Sequence, residues 1–391
     1  MTTGTNTRLA EAARDLYEPI RRAAPSGDDL RRLPSETVAA ISAAGLFRMW
    51  LPDTLGGPAA DPLDTLHAVE EISRADGSAG WSLMIGAESN GIVAAHLPLA
   101  GAREIFPPDT EVITGGSVSP GAGQAVEVDG GYQISGRWRF GSGCQHCDWM
   151  YGNCDILDGD AIRTRANGTP EMLIVVLPKS DFEIIDTWNV VGLRGTGSHD
   201  YAAEDVFVPS AHTFSIFDGP VDTSVPFLSL PFISFLALTK APISTGIALG
   251  AIDELVALAA TKTATGGTAP LRETPRVQRA VADATTMVHA ARAFFDRALE
   301  DVLRVIAAGD SPGLHERAML RLAAANATSR SARAVELVYT AAGTSSIKSG
   351  QPLERAFRDI HTLTQHVNAS ESVVEPAGRV LLDLDPEWPL F

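Results

Sequence analysis

The first third of the chain has the periodicity of amphipathic helices. Apolar residues recur every three or four positions from Leu9 to Ile20, and the same spacing returns in 64–74 and 80–97. This spacing places the apolar side chains on one face of a helix. Because such a face must be buried against another element, residues 1–111 are predicted to form an N-terminal helical domain.

The pattern changes near residue 112. The apolar segments become short and rich in Val, Ile, Tyr and Trp, with Gly, Asp and Pro between them, which is typical of β-strands. Asp129-Gly130-Gly131 separates two alternating segments and predicts a hairpin turn. Residues 112–222 are therefore predicted to form a small, β-barrel-like central domain.

Long apolar-periodic segments return in the last part of the chain. They are 236–261, 276–308, 314–342 and 353–374, and short links containing Gly or Pro join them. Four long helices with short connections predict an antiparallel four-helix bundle over residues 223–391. The predicted fold class is thus α+β and mostly α, and a crevice between its units would suit a ligand.

Composition and net charge limit the classes of partner that the chain is expected to bind. Of the 391 residues, 45% are hydrophobic and 20% charged, and the net charge is −17. Such an acidic surface repels phosphate backbones and anionic lipid, so no nucleic acid and no membrane is predicted as a partner. No run of about 18 apolar residues predicts a bilayer span, and the first residues lack a signal pattern. Three cysteines predict no disulfide framework, which favours the cytoplasm.

Four segments, read in order, resemble the acyl-CoA dehydrogenase superfamily. The resemblance is to its oxygenase branch, which includes the flavin-dependent oxygenase of 4-hydroxyphenylacetate hydroxylase and dibenzothiophene monooxygenase. The segments are EEISRADGSAGWSLMI (70–85), GRWRFGSGCQHCDWM (136–150), DTWNVVGLRGTGSHDYAAEDVFVP (186–209) and LERAFRDIHTLTQHV (353–367). The resemblance covers nearly the whole chain and implies a flavin cofactor and a homotetramer, with apolar helix faces such as 323–338 as candidate interfaces.

The second segment offers groups that suit a flavin. An isoalloxazine ring needs apolar walls and a few polar contacts, and Trp138 and Phe140 alternate on a predicted strand to offer such a wall. Ser142 lies between Gly141 and Gly143, which let the backbone approach closely. The resemblance implies that Ser142 contacts the flavin N5 side, whereas the alternative is a turn serine in a Gly-rich hairpin.

The third segment and a later helix supply further cofactor candidates. The resemblance places Trp188 near the flavin ring and Arg194 in a Gly-rich turn beside it, although Arg194 suits a structural ion pair equally well. Lys262 could meet the flavin phosphate, or it could favour the helix C-terminus alone. Residues 341–346 keep only part of the Gly-Gly-x-Gly turn of FAD-binding relatives, which favours FMN, with FAD as the alternative.

The fourth segment ends in a candidate catalytic histidine. The resemblance implies that His366 lies close to the flavin C4a and N5 atoms. Reduced flavin and O2 would form a C4a-hydroperoxyflavin there, which needs a proton donor and a dry pocket. An imidazole, with a pKa of about 6.5, can serve as donor or acceptor at neutral pH. His361 is predicted to be a surface or packing residue instead.

The substrate contacts are predicted on the helix that begins near Gly80. Trp81, Glu88 and Ser89 are the candidates, although Glu88 could be an exposed helix carboxylate. Members of the resembled oxygenase branch that hydroxylate phenols often have a histidine at the position of Ser89. The substrate could therefore be another aromatic, a heteroatom-containing ring or an amine.

The chemistry predicted from these residues is that of a two-component monooxygenase. The chain lacks a nicotinamide-binding G-x-G-x-x-G motif after a strand, so a separate flavin reductase is predicted as its partner, with O2 and a small organic molecule as substrates.

Two alternatives stay open. The first is an acyl-CoA dehydrogenase-type FAD enzyme, although Gly350 stands where the resemblance places its glutamate base, just before Pro-x-Glu-Arg. The second is a non-catalytic flavin-binding protein. A metal site is not predicted, because Cys144 and Cys147 form one CxxC pair without a second.

Overall fold

The N-terminal part of the chain is helical. The computed structural model describes residues 9–108, 110–219, 221–263, 268–388 and 391. The helices of this part are α1 (Leu9–Asp15), α2 (Tyr17–Leu30), α3 (Ser35–Ala43), α4 (Pro62–Ala75), α5 (Gly77–His96) and α6 (Leu99–Ile105). The Asp76 carboxylate accepts the backbone N–H of Ala79 at 2.9 Å and so caps α5. Nearly all of α5 is buried, which makes it the central helix of this part.

Strands follow from residue 114 to residue 214. They are β1 (Thr114–Ser117), β2 (Gly123–Val128), β3 (Gly131–Gly141), β4 (Trp149–Asp158), β5 (Ala161–Ile162), β6 (Met172–Pro178), β7 (Glu183–Ile185), β8 (His199–Pro209) and β9 (Thr213–Phe214). They form a mixed sheet in the order β7-β8-β3-β2-β4-β6-β9, with β1 and β5 also paired to β4. The predicted hairpin turn between β2 and β3 is confirmed. Gly130 has φ +78° there, which glycine adopts without strain.

The C-terminal part is helical again. Its helices are α7 (Phe232–Leu238), α8 (Ala241–Thr261), α9 (Pro275–Ala307), α10 (Leu314–Ala342), α11 (Pro352–Leu363) and α12 (Val374–Leu381). Helix α10 packs against α8, α9 and α11. The fold class predicted from the sequence, with helices on both sides of a central sheet unit, is confirmed.

One predicted helix is divided in two. The segment 353–374 was expected to be continuous, but α11 ends at Leu363. The Thr364 hydroxyl donates to the carbonyl of His361 at 2.7 Å, and a hydroxyl on this carbonyl competes with the backbone bond that would continue the helix. His366 consequently lies in a turn after α11, not on a helix.

The most apolar helical segment lies in the core. Contrary to the expectation from sequence, Phe232–Thr261 is long and apolar enough to cross a bilayer by length and composition alone, and 61% of its most apolar window is buried inside the structure. Helix α8 within it packs against α4, α10 and α11. Packing on several sides accounts for an all-round apolar helix, so its composition is weak evidence for a membrane span.

The interface faces expected on α10 belong to the chain's own core. Ala323, Ala327, Ala334 and Val338 have no solvent exposure, because neighbouring helices of the same chain cover them. The expectation that these residues assemble subunits is wrong.

Candidate active site

Three predicted site residues from three parts of the chain meet at one place. Trp81 on α5 donates its indole N–H to the Ser142 hydroxyl at 3.0 Å. Its ring lies edge-on to the imidazole of His366, with 5.1 Å between the ring centroids. Ser142 follows β3 and His366 follows α11. The N-terminal helices, the sheet and the C-terminal helices therefore all contribute to this junction cluster of Trp81, Ser142 and His366.

A row of hydroxyl groups continues from the junction cluster into the protein. The Ser142 hydroxyl lies 2.8 Å from that of Ser198, which lies 2.7 Å from that of Thr196. Thr196 in turn donates to the carbonyl of Leu193 at 2.8 Å. Ser142, Thr196 and Ser198 are all buried. Their positions are therefore set by each other and not by water.

His366 is held in the neutral state. Burial, and secondarily the nearby Lys240 ammonium, lower the pKa of His366 to about 3. Its Nδ1 atom accepts the backbone N–H of Asn368 at 3.2 Å. A neutral imidazole that accepts at Nδ1 carries its proton on Nε2. The ring thus offers one hydrogen-bond donor at neutral pH.

The aromatic wall predicted from β3 is only partly present. Phe140 is 64% exposed and meets Trp188 edge-on at 6.3 Å between ring centroids. Trp138 faces the opposite way, where it has no exposure and stacks on Tyr201. The prediction that Trp138 and Phe140 share one wall is wrong. The register between β3 and β8 shifts after Trp138, and such a bulge breaks the alternation of faces.

The two predicted cationic contacts are bonded within the chain. Arg194 donates to the carbonyls of Asp28 at 3.1 Å and Val190 at 3.0 Å. Lys262 donates to the carbonyl of Ala342 at 3.1 Å and to the Ser345 hydroxyl at 2.5 Å. These bonds favour the structural alternatives for Arg194 and Lys262. A role of either residue in flavin binding stays a prediction.

The predicted substrate residues next to each other on α5 have different partners. The Ser89 hydroxyl lies 3.1 Å from that of Tyr151. Glu88 is only 4% exposed, so its interpretation as an exposed helix carboxylate is wrong. Its carboxylate meets the Lys240 ammonium at 2.7 Å and accepts the Thr239 hydroxyl at 2.5 Å.

Sequence reasoning missed Tyr151 and Lys240. Lys240 stands between two strongly apolar stretches, FISFLAL and APISTGIALG. A lysine in such a context signals a buried charge with a carboxylate partner, and this signal was available. Tyr151 carried no comparable signal, because a tyrosine in a strand usually serves packing.

The position compared with a dehydrogenase base lies outside the junction cluster. Gly350 precedes α11, whose 12 residues span about 18 Å, whereas His366 follows that helix. The glycine at position 350 is therefore no evidence for or against a base near the flavin. Val367, the neighbour of His366, is apolar and cannot act as a base. Glu88 is a carboxylate, but it is paired with the Lys240 ammonium.

The three cysteines are buried, free thiols. Burial raises the pKa of Cys144 to about 11 and that of Cys154 to about 12, so these thiols stay protonated at neutral pH. In the part of the chain that the structure describes, no three His, Cys, Asp or Glu side chains are grouped to hold a metal ion.

The residues around the junction cluster fit a flavin ring. Phe140 and Trp188 present aromatic surface, and the exposed Val367 adds an aliphatic one. Ser142 supplies a hydroxyl and His366 an N–H donor. Apolar faces combined with a few placed polar groups are what an isoalloxazine requires.

Comparison with known proteins identifies the family. Residues 4–104 match the family model "Acyl-CoA dehydrogenase, N-terminal domain", and residues 238–371 match "Acyl-CoA dehydrogenase, C-terminal domain". An indole-3-acetate monooxygenase of Pseudomonas putida is 33% identical over 95% of this chain and 93% of the relative. The flavin-dependent monooxygenase oxygenase subunit HsaA of Rhodococcus jostii is 31% identical over 95% and 93%.

A solved structure agrees. The HsaA monooxygenase from M. tuberculosis superposes with a TM-score of 0.86 at 29% identity, covering 97% of this chain and 98% of that one. Similarity over nearly the full length of both proteins includes all three parts that form the junction cluster. The chain therefore belongs to the oxygenase branch of the acyl-CoA dehydrogenase superfamily, and it is a flavin-dependent monooxygenase.

Proposed function

We propose that the chain is the oxygenase component of a two-component system that hydroxylates a small aromatic substrate. A separate reductase supplies reduced flavin, and O2 is the second substrate. The meeting of Trp81, Ser142 and His366 carries this proposal, because it places a hydroxyl and an imidazole donor beside exposed aromatic surface. When bound, the reduced flavin supplies the electrons that activate O2.

Each residue of the site has a distinct role in the proposal. Phe140 and Trp188 would hold the flat ring of the cofactor, and Ser142 would meet its polar edge. His366 would offer its Nε2–H as a hydrogen-bond donor to oxygen bound at the site. Since burial keeps the pKa of His366 at about 3, the imidazole serves as a neutral hydrogen-bond donor there and not as an imidazolium acid.

The substrate contacts lie further along α5. Trp81 contributes aromatic surface, while the Ser89 and Tyr151 hydroxyls, 3.1 Å apart and buried, can meet one polar group of an otherwise apolar ring. The ion pair of Glu88 and Lys240 stands next to them. Indole-3-acetate is the first compound to test, because the relative that is 33% identical carries the name indole-3-acetate monooxygenase.

FMN is the proposed form of the cofactor, with FAD as the alternative. The segment 341–346 would have to receive the adenine half of FAD. Its Ala342 carbonyl and Ser345 hydroxyl are already bonded to Lys262, which supports the shorter cofactor. Parallel titrations with the two reduced flavins test this choice.

A cytoplasmic homotetramer is the proposed assembly. Several large apolar side chains of the C-terminal part are exposed in the single chain, namely Val256, Ile347, Leu381 and Leu382. Burial of such side chains between subunits would stabilise an oligomer. Sedimentation equilibrium gives the subunit number directly.

One experiment tests the proposed activity. Protein loaded anaerobically with reduced FMN is mixed with isotopically labelled O2 and indole-3-acetate, and the products are analysed by mass spectrometry. We expect label in the organic product only when both protein and reduced flavin are present. Failure to bind reduced flavin, or oxidation of acyl thioesters by a bound FAD, would overturn the proposal.

A matched pair of variants ties the activity to this site. Phe140→Ala removes the exposed ring at the junction and should weaken binding of reduced flavin roughly tenfold, as expected for loss of an aromatic contact. Phe207→Ala removes another exposed ring of the sheet and should leave the dissociation constant unchanged. Equal effects of the two variants would place the flavin elsewhere.

A further inference from the structure

We infer that Thr196 and Ser198 fix the Ser142 hydroxyl as a hydrogen-bond acceptor toward the flavin, and that the site thereby selects reduced over oxidised flavin. The inference rests on the proposed contact between Ser142 and the polar edge of the ring. It assigns Thr196 and Ser198 as positioning residues of the site, and it explains why the site would retain a reduced cofactor.

The direction in which the hydroxyl groups of Ser142, Ser198 and Thr196 donate is set at Thr196, the inner end of the row. The Leu193 carbonyl can only accept, and the Thr196 hydroxyl lies 2.8 Å from it. A threonine hydroxyl has a single proton, which is used in this bond. Thr196 must therefore accept in its other bond, the one of 2.7 Å to Ser198.

The same reasoning carries outward to Ser142. Ser198 spends its one proton on Thr196, so it accepts from Ser142 across 2.8 Å. The Trp81 indole nitrogen is a donor only and donates to Ser142 at 3.0 Å. Ser142 consequently has no free proton, but it keeps one unused lone pair.

The inner end of the row is firmly held. The Leu193 backbone N–H donates to the Asp359 carboxyl at 2.6 Å, and its carbonyl also accepts the Trp188 indole N–H at 3.2 Å. Thr196, Ser198 and Asp359 are each less than 5% exposed. Because water cannot supply replacement bonds at these positions, reversing the row would leave a buried group unsatisfied, which costs free energy.

This fixed direction distinguishes the two redox states of a flavin. Reduced flavin carries an N–H at N5, which can donate to the lone pair of Ser142. Oxidised flavin has a lone pair at N5, which finds no proton on Ser142. The difference is one satisfied hydrogen bond against one repulsive contact in a buried site, and it favours the form that a reductase would deliver.

The test compares affinities for the two redox states of FMN. Dissociation constants of oxidised and anaerobically reduced FMN are measured for the wild type, Ser198→Ala and Thr196→Val. Ser198→Ala removes the acceptor of the Ser142 proton, and Thr196→Val removes the acceptor of Ser198, which can then donate to Ser142 and release the Ser142 proton. We therefore expect the ratio of oxidised to reduced dissociation constants to fall about tenfold in both variants, the usual weight of such a bond. A tenfold fall in this ratio corresponds to a two-electron reduction potential of bound FMN that is lower by about 30 mV.

Two further variants make the result specific. Thr196→Ser keeps the hydroxyl and should keep the wild-type ratio. Thr328→Val removes a buried hydroxyl that bonds only to its own helix and should also leave the ratio unchanged. If Ser198→Ala does not fold, the comparison of Thr196→Val with Thr196→Ser decides the matter alone.

The outcomes separate the two proposals. If the wild type binds neither redox form, the proposed function is wrong. If it binds reduced FMN, but without preference over oxidised FMN or with a ratio that Thr196→Val leaves unchanged, the proposed function stands and this inference is overturned. A variant that weakens both forms equally would show a structural role only and would likewise overturn it.

Discussion

His366 shows how its surroundings set the chemistry of one residue. In water an imidazole titrates near neutral pH, but burial and the Lys240 ammonium lower the pKa of His366 to about 3. The backbone N–H of Asn368 then occupies Nδ1. The residue that sequence reasoning selected as an acid or base is instead a fixed donor through Nε2.

Removal of this donor should uncouple oxygen use from product formation. His366→Ala is expected to bind reduced flavin but to release several times more hydrogen peroxide per O2 consumed, because the reacting oxygen loses its hydrogen bond. Peroxide and product are measured in the same reaction. His361→Ala, on the neighbouring α11, is the control and should stay coupled; normal coupling in His366→Ala would contradict the assigned role.

The buried pair of Glu88 and Lys240 should be costly to break from one side. Glu88→Gln leaves the Lys240 ammonium without its counter-charge and is expected to lower the free energy of unfolding by about 3–5 kcal/mol. Urea unfolding measures this change. Glu336→Gln, which disrupts an exposed pair with Arg333, should cost less than about 1 kcal/mol.

A double variant separates charge from packing at this position. Glu88→Leu combined with Lys240→Met replaces both charges with apolar groups of similar size, and such replacements are often neutral or stabilising. We expect the double variant to be more stable than Glu88→Gln. A double variant as unstable as the single one would show that packing, not an uncompensated charge, is what was lost.

At the scale of elements, the loop before β8 is docked on α11. Gly192 lies so close to the Arg358 carbonyl that a Cβ atom there would come within 2.2 Å of it. Arg358 donates to the Val191 carbonyl at 2.6 Å, and Asp359 accepts from Leu193 at 2.6 Å. One helix thus positions the loop that carries Trp188 and also leads into the turn with His366.

Loss of the Asp359 contact should loosen this loop. Asp359→Ala removes the acceptor for Leu193 and is expected to weaken flavin binding about tenfold or more, whereas Asp359→Asn keeps an acceptor oxygen and should retain most affinity. Burial and the neighbouring Asp76 raise the pKa of Asp359 to about 7, so a neutral side chain is a fair substitute. Flavin titration measures both variants, and equal losses in the two would contradict the docking role.

At the scale of the whole molecule, the site exists only where three parts of the chain meet. Between β3 and β4, the partly buried His146 resists protonation. Burial, with Lys179 as a smaller cause, lowers the pKa of His146 to about 4. An unfolded histidine binds a proton below about pH 6.5, whereas the folded His146 does not until about pH 4. This contribution to stability is complete above pH 6.5 and is lost as the pH falls toward 4.

The acid sensitivity of the fold should therefore depend on His146. We expect His146→Gln to lose less unfolding free energy than the wild type between pH 7 and pH 5, measured by urea unfolding at both values. Only the difference between the two proteins is compared, since buried carboxyls such as Asp359 shift stability in the opposite direction. The same pH dependence in both proteins would contradict the role of His146.

Local patterns predicted most of the elements and three residues of the candidate site. The hairpin at Asp129-Gly130 and the long helices α9 and α10 follow from turn chemistry and periodicity, which act over a few residues. Trp81, Ser142 and His366 were found through motifs. The bulge that turns Trp138 away from Phe140 was not visible, because it depends on pairing with β8, a strand some 60 positions later.

By itself, the sequence determined the order of helical and β parts, the positions of the turns and the family resemblance, since each depends on neighbouring residues. Only the tertiary structure decided which side chains share a surface. It buried Glu88 against Lys240, turned Ala323 into the chain's own core and aligned Thr196 and Ser198 behind Ser142. Burial and hydrogen-bond direction arise from contacts between residues far apart in the chain, and no local pattern encodes them.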